Sequence, residues 1–304
     1  MTDTLVPDTI QTPGSPPAPT VADAVARAAE PPRRGRGLLR GRRIKEIHVH
    51  LLLFAALVVI GLFPGLVTSH DPYELDGIPF TSPNGDFWFG TDEIGRDLYS
   101  RVVHGLQISL FSAALAVVVA LVLGGIVGIL SGLRPGSLLD RVLGVGTEAI
   151  MAVPAVLLAL AVITTYGRGA FVAAIAIGIG EATGFARLIR GVVIQSSTFT
   201  FVEAARTCGA GPIRTITRHI VPNVFHPVLS YTALQFGLAL LAIGSLSYLG
   251  FGEAPPSPEW GVLIAGGQKY LAHAWWVAII PGLALTAVVV LLNRIAYLLQ
   301  EDHS

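Results

Sequence analysis

Two carboxylates, Glu148 and Glu181, stand inside stretches that otherwise carry almost no charge. Placing a carboxylate at mid-bilayer costs about 2.5–3.5 kcal/mol on insertion scales, so such groups face a helix bundle or water. Glu148 lies near the end of its stretch and is expected to snorkel, or to pair with Arg141 or with an arginine of a neighbouring subunit. Glu181 is a candidate to line a path or to bond across helices. The densest ionisable set lies between residues 68 and 104: Asp71, Glu74, Asp76, Asp86, Asp92, Glu93 and Asp97, with Arg96 and Arg101. It fits a turn-rich loop held by carboxylate–arginine pairs. The eight histidines are scattered, and His48 and His50 fit a membrane interface better than a chelate. No metal site, nucleophile–base set or catalytic residue is assigned. The chain has no G-x-x-x-x-G-K-[ST] phosphate loop, and its only lysines, Lys45 and Lys269, lie in nothing similar. The single cysteine, Cys208, excludes an intramolecular disulfide and reads as a small apolar helix residue.

The other polar feature is the segment 200–223, TFVEAARTCGAGPIRTITRHIVPN, an island between two long apolar stretches. Thr200 and Glu203 have the spacing of a capping box. Phe201, Ala205 and Cys208 share a helical face. Gly209 and Gly211 suit a helix end, and Pro212 suits the first turn of a second helix. There Ile213, Ile216 and Ile220 form an apolar stripe and Arg214 and Arg218 a basic one, with Pro222 closing the unit or opening the next helix. Helices shorter than about 12 residues are unstable alone in water, so each must dock. Two surfaces suit such a hairpin: the groove of a cytoplasmic partner, or lipid and its own bundle.

The elements that carry these residues are membrane helices. The chain is 52% hydrophobic and 13% charged, with a mean hydropathy of +0.66, against about 25% charged residues in soluble domains. Apolar runs at 49–67, 108–130, 142–163, 170–189, 225–246 and 276–299 approach or exceed the roughly 18–20 residues that cross a bilayer. Pro154 falls in the middle of the third, and Pro281-Gly282 is expected to kink or interrupt the sixth. Gly124 and Gly128, and Gly180 and Gly184, are spaced for close helix approach. Residues 1–32 have the composition of a disordered tail, without the apolar core of a signal peptide. The basic block Arg33–Lys45 reads as a positive-inside anchor rather than a nucleic-acid patch. With the N-terminus inside, sixteen lysines and arginines fall inside and four outside. The organisation read from this is a cytoplasmic tail with its basic anchor (1–46), a first span (47–68), an extracytoplasmic segment (69–104), a core transmembrane domain containing the hairpin 200–223 (105–299) and a cytoplasmic end (300–304).

Glu203-Ala204-Ala205 with Gly209 and Pro222 resembles the EAA signature of ABC importer permeases. His219 and Val221 depart from the general Ile-x-Leu-Pro ending. Arg218-His219-Ile220-Val221-Pro222-Asn223 is instead similar to the RHVLPN ending of the dipeptide/oligopeptide/nickel branch. Phe89-Gly90-Thr91-Asp92-Glu93-Ile94-Gly95-Arg96-Asp97 resembles that branch's FGTDExGRD block. FARLIR at 185–190, SYLGFG at 247–252, PPSPEWG at 255–261 and PGLA at 281–284 are similar to further family segments. The resemblance covers about 88–293; after Asn293 the chain departs from the family's Gly-Asp-rich tail.

The resemblance implies an all-α integral membrane protein of type I ABC importer permease architecture: six transmembrane helices with a cytoplasmic EAA coupling-helix hairpin. ATPase coupling would fall to Glu203, Ala204, Ala205, Gly209, Arg214, Arg218, His219 and Pro222. The outer family motif would comprise Gly90, Thr91, Asp92, Gly95, Arg96 and Asp97. This chain would bind no cofactor, while ATP and Mg would sit on partner ATPase subunits. The implied partners are a homologous second permease, two ATPases, an extracytoplasmic binding protein and lipid, with no nucleic acid. The implied function is alternating-access import of short peptides across the inner (cytoplasmic) membrane, with both termini cytoplasmic. Nickel or another small solute is the alternative cargo. An ion-coupled secondary transporter is the rival class, and it would need more intramembrane charges and an internal repeat.

Overall fold

The computed structural model describes residues 36–208, 211, 214, 218 and 220–301, with side chains at 36–45, 201, 203, 205, 206 and 301 outside the description. Among these residues the structure is all-α apart from a single bridge between Thr91 and Asp97. The helices are α1 (Arg36–Leu62), α2 (Leu98–Leu133), α3 (Leu138–Met151), α4 (Ala155–Tyr166), α5 (Ala170–Ser197), α6 (Thr200–Thr207), α7 (Val221–Tyr248), α8 (Trp260–Gly267) and α9 (Trp276–Glu301). The described residues from Lys45 onward belong to one compact unit, which holds every described helix after α1.

Among the described residues four helices, α2, α5, α7 and Trp276–Gln300 of α9, are long and apolar enough to cross a membrane. A fifth span exists if α3 and α4, bent by 87°, count as one. The apolar part of α1, Glu46–Leu62, is shorter. It ends before the expected residue 67 because Phe63 precedes Pro64, and a residue before proline is pushed out of the helical region; a 3-10 turn, Pro64–Leu66, follows. The same rule breaks the expected third span. Val153 precedes Pro154, which occupies the N-cap of α4. By contrast α9 runs through Pro281 without interruption, the missing N–H there costing one ladder bond.

Glycines set the packing at the centre. A Cβ on Gly124 would lie 2.5 Å from Phe185 Cβ, one on Gly128 2.7 Å from the Ala186 carbonyl and one on Gly132 2.8 Å from Val193 Cβ. The face expected from Gly124 and Gly128 therefore extends a further turn, and it brings the α2 backbone against α5. Small residues that admit close backbone approach are how helices gain packing energy in lipid. Phe185 in turn meets Tyr231 of α7 edge-on, ring centroids 4.8 Å apart. Leu240, Ile243 and Leu246 of α7 are buried with Val288, Val289 and Leu292 of α9.

Candidate functional site

Several groups of ionisable residues stand out among the described residues. One is built on Asp92, which is 1% exposed. Its Oδ1 accepts from the backbone N–H of Ile94 and of Arg96, each at 3.0 Å. Its Oδ2 accepts from Arg96 Nε at 2.6 Å and lies 3.5 Å from Arg101 Nη1. Gly90 and Gly95 have φ of 75° and 96°, the left-handed region that glycine enters without strain. A side chain on Gly95 would also strike the Gly77 carbonyl. Thr91 Oγ1 donates to the Ile78 carbonyl at 2.6 Å, and the Thr91 carbonyl accepts from Trp276 Nε1 at 3.2 Å. Asp97 caps α2, accepting from the backbone N–H of Tyr99 and Ser100. Burial raises its pKa above the ordinary carboxylate range, and those two N–H groups oppose the shift. The expected carboxylate–arginine pairs are thus present, and they fold the loop onto the starts of α2 and α9.

A second knot holds the 250–260 loop. Glu259, 1% exposed, accepts from Ser247 Oγ at 2.5 Å, and Ser257 Oγ donates to Glu253 at 2.7 Å. Burial raises the Glu259 pKa; the Ser247 hydroxyl offsets part of that. Trp260 Nε1 donates to the Val102 carbonyl at 2.9 Å, and Arg101 Nη2 to the Pro256 carbonyl at 3.2 Å, so the two knots share α2.

Within the spans, Glu181 of α5 accepts from Gln235 Nε2 of α7. This is the cross-helix bond expected of an intramembrane carboxylate. Gln235, itself buried, was not singled out in sequence because a lone amide in an apolar run carries no periodic signal.

Next along α5, Arg190 makes a bidentate pair with Asp140 of α3, with Nε to Oδ1 at 2.8 Å and Nη2 to Oδ2 at 2.9 Å. Asp140 Oδ2 also accepts from the Gly136 N–H at 2.8 Å. Partners 50 positions apart leave no spacing signature in the sequence. Arg187, a turn earlier, donates to Met151 Sδ at 2.9 Å. The expected Arg141–Glu148 pair is not formed. The two stand seven residues apart, about two turns or roughly 10 Å of rise, and among the described residues Glu148 makes no ion pair.

Among its described side chains, the segment 200–223 buries Val202, at 0% exposure, and Ile220, at 1%. Between them Ala204, Thr207, Cys208, Gly211, Arg214 and Arg218 are exposed. Helix α6 runs Thr200–Thr207, and the Glu203 side chain of the expected capping box lies outside the described residues. Cys208 is exposed rather than packed. The side chains of Glu203 and Ala205, and all of Gly209 and His219, lie outside the described residues. Pro222 is exposed and opens α7. Val202 was missed because the expected apolar face ran through Phe201. Among the described residues no group of three or more His, Cys, Asp or Glu could hold a metal ion.

The family model described as "Binding-protein-dependent transport system inner membrane component" matches residues 124–302. The chain is 36% identical over 253 residues to the di/tripeptide transport system permease protein DppC of Pseudomonas aeruginosa (strain UCBPP-PA14), covering 80% of this chain and 82% of that one. It is 33% identical over 258 residues to the glutathione transport system permease protein GsiD of Escherichia coli O6:K15:H31 (strain 536 / UPEC), covering 83% and 84%. Its fold is similar to a crystal structure of an amino acid ABC transporter with histidines, with a TM-score of 0.54 at 19% identity over 67% of this chain and 94% of that one.

Proposed function

The chain belongs to the binding-protein-dependent transport system inner membrane components, and we propose that it is the permease through which short peptides cross the membrane. It is a multi-pass inner-membrane component of an ABC import system and not itself an enzyme. A transporter of this class works with ATPase and binding-protein partners. On our reading the assembly pairs this chain with a second, homologous permease, two ATPases that carry ATP and Mg, and one extracytoplasmic binding protein. The shorter apolar part of α1 and the bent α3–α4 pair complete six spans, with both termini in the cytoplasm. The stretch 200–223 docks in the ATPase, and closure of the ATPase pair tilts the spans to open the path outward.

One observation carries the coupling assignment. Val202 and Ile220 are buried, while Ala204, Arg214 and Arg218 between them are exposed. A segment fastened at both ends and presenting a basic middle is shaped to transmit a push to the bundle. The peptide assignment is supported by relatives whose names specify di/tripeptide and glutathione transport. The reconstituted complex, with its binding protein, is expected to show ATPase stimulation across a di- to pentapeptide set. Stimulation by chelated nickel with every peptide silent would reject peptides as cargo. Failure of the chain to co-purify with ATPase subunits would reject the assembly.

A further inference from the structure

The cytoplasmic-end cavity between α2, α3 and α5 has a volume of about 480 Å³, inside the roughly 300–1,000 Å³ range of small-molecule sites. Its walls differ in rigidity. Helices α2 and α5 are locked together through Gly124, Gly128 and Gly132. Helix α3 is tied to α5 by the Asp140–Arg190 clamp at one end and bends away at Pro154 at the other. The clamp neutralises two of the charges in the wall. Arg187, Arg141 and Glu148 also line the cavity, and none of them makes an ion pair among the described residues. Arg187 spends its guanidinium on a thioether, Met151 Sδ, a weak acceptor. Met151 lies three residues after Glu148 on α3, so the two residues share one helix face. Arg187 and Glu148 thus line one cavity with opposite charges and no ion pair among the described residues, a receptor for a molecule with both charges of its own.

We propose that this cavity binds the zwitterionic ends of the transported solute, Arg187 taking the carboxylate and Glu148 the ammonium group. The assignment rests on the peptide-importer reading and deepens it. The fit follows from chain geometry. An extended dipeptide spans up to about 7 Å, which a cavity of about 480 Å³ accommodates. The site therefore reads the two ends of a dipeptide and leaves its side chains to the open part of the cavity. A bidentate guanidinium–carboxylate contact supplies the orientation that lysine would give less well.

The test uses the full complex with its ATPases and binding protein in proteoliposomes, with labelled dialanine as the probe. Arg187→Gln and Glu148→Gln are each expected to assemble normally and to accumulate about tenfold less dipeptide or worse, the loss expected for one charge-assisted contact. Arg187→Lys, which keeps the charge but not the bidentate fork, is expected to fall between Arg187→Gln and the wild type. A second measurement is independent of turnover. In a Cys208→Ser background, Thr147→Cys places a thiol in the cavity wall, and millimolar dialanine is expected to slow its alkylation in the detergent-solubilised complex. Wild-type uptake by both Gln variants, or alkylation unchanged by dialanine, would overturn the proposal. No ATP-dependent dipeptide uptake by the unaltered complex would instead overturn the substrate reading beneath it.

Discussion

Asp92 holds two backbone N–H groups and the guanidinium of Arg96 on one side chain, with Arg101 at 3.5 Å. A buried pair of this kind contributes little beyond a hydrophobic substitute, yet removing one partner strands the other charge at a cost of about 3–5 kcal/mol. Asp92→Ala should therefore destabilise the outer loop by that order, read as a fall in the thermal midpoint of the purified complex. Asp92→Asn keeps one acceptor oxygen and is expected to fall between. A midpoint unchanged in Asp92→Ala would mean the knot is not a stability element. The Asp140–Arg190 clamp differs, because Arg190 is 41% exposed and water screens the pair, so its loss should cost much less. Glu259 responds to pH with a definite sign. Its folded pKa is raised by burial, so below the ordinary glutamate range both folded and unfolded chains hold the proton and nothing is lost. As pH rises through that range the unfolded chain releases its proton first, and stability falls until the folded group also ionises. Asp97 is shifted in the same direction and adds to the fall. As pH rises above the ordinary glutamate range, about 4.3, the thermal midpoint of Glu259→Gln is expected to decline less than that of the wild type. A decline of equal slope would show that Glu259 titrates normally.

At the scale of elements, the bent α3–α4 pair and the segment 200–223 are the parts that do not behave as plain membrane helices. If the basic face of that segment meets the ATPase, then Arg214→Glu combined with Arg218→Glu should leave the bundle intact. Exposed substitutions of this kind usually change stability by no more than about 0.5 kcal/mol. The double variant should insert and fold normally but lose co-purification of the ATPase subunits and ATP-driven uptake. Wild-type uptake would show that this face is not the coupling surface. The sequence was most legible where a local rule decides. The cores of the four longest spans, the small-residue face of α2 and the carboxylate–arginine loop all follow from composition and spacing. Helix ends were less legible. Pro64 and Pro154 end helices because of the residue before each, whereas Pro281 lets α9 continue; composition alone treats all three alike. Long-range pairs were illegible. Asp140 with Arg190, Glu181 with Gln235 and Trp260 with the Val102 carbonyl join residues 50, 54 and 158 positions apart, and a single sequence records no trace of such partners. Motif resemblance filled part of the gap, since it marked Asp92, Arg96 and Asp97 before any contact was known.

Across the whole molecule, the knots and the charges sort to opposite ends of the bundle. The Asp92 and Glu259 knots cluster where α2, α8 and α9 begin, and the basic side chains Arg187, Arg190 and Arg214 gather near the other ends of the spans. Positive charge in short loops marks the cytoplasmic side, so in the proposed orientation the knots would face outward and the segment 200–223 would face the cytoplasm. This orientation is open to direct measurement. In a Cys208→Ser background, Asn84→Cys and Leu271→Cys each place an exposed thiol on the side of the knots, and Leu138→Cys places one, at a position 78% exposed, on the side of Arg134. Ser257 is unsuited because it is only 7% exposed, and Ser137 because its hydroxyl caps α3. A membrane-impermeant maleimide applied to intact cells should modify positions 84 and 271, and position 138 only after permeabilisation. An even number of spans between the N-terminus and 300 then requires both ends inside, and a thiol placed before residue 32 should be protected like that at 138. Labelling of 138 from outside would invert the bundle and put the basic segment beyond the reach of any cytoplasmic ATPase. Protection at 138 combined with outside labelling before residue 32 would remove α1 as a span, leaving the five that length and apolarity alone support when the bent pair counts as one.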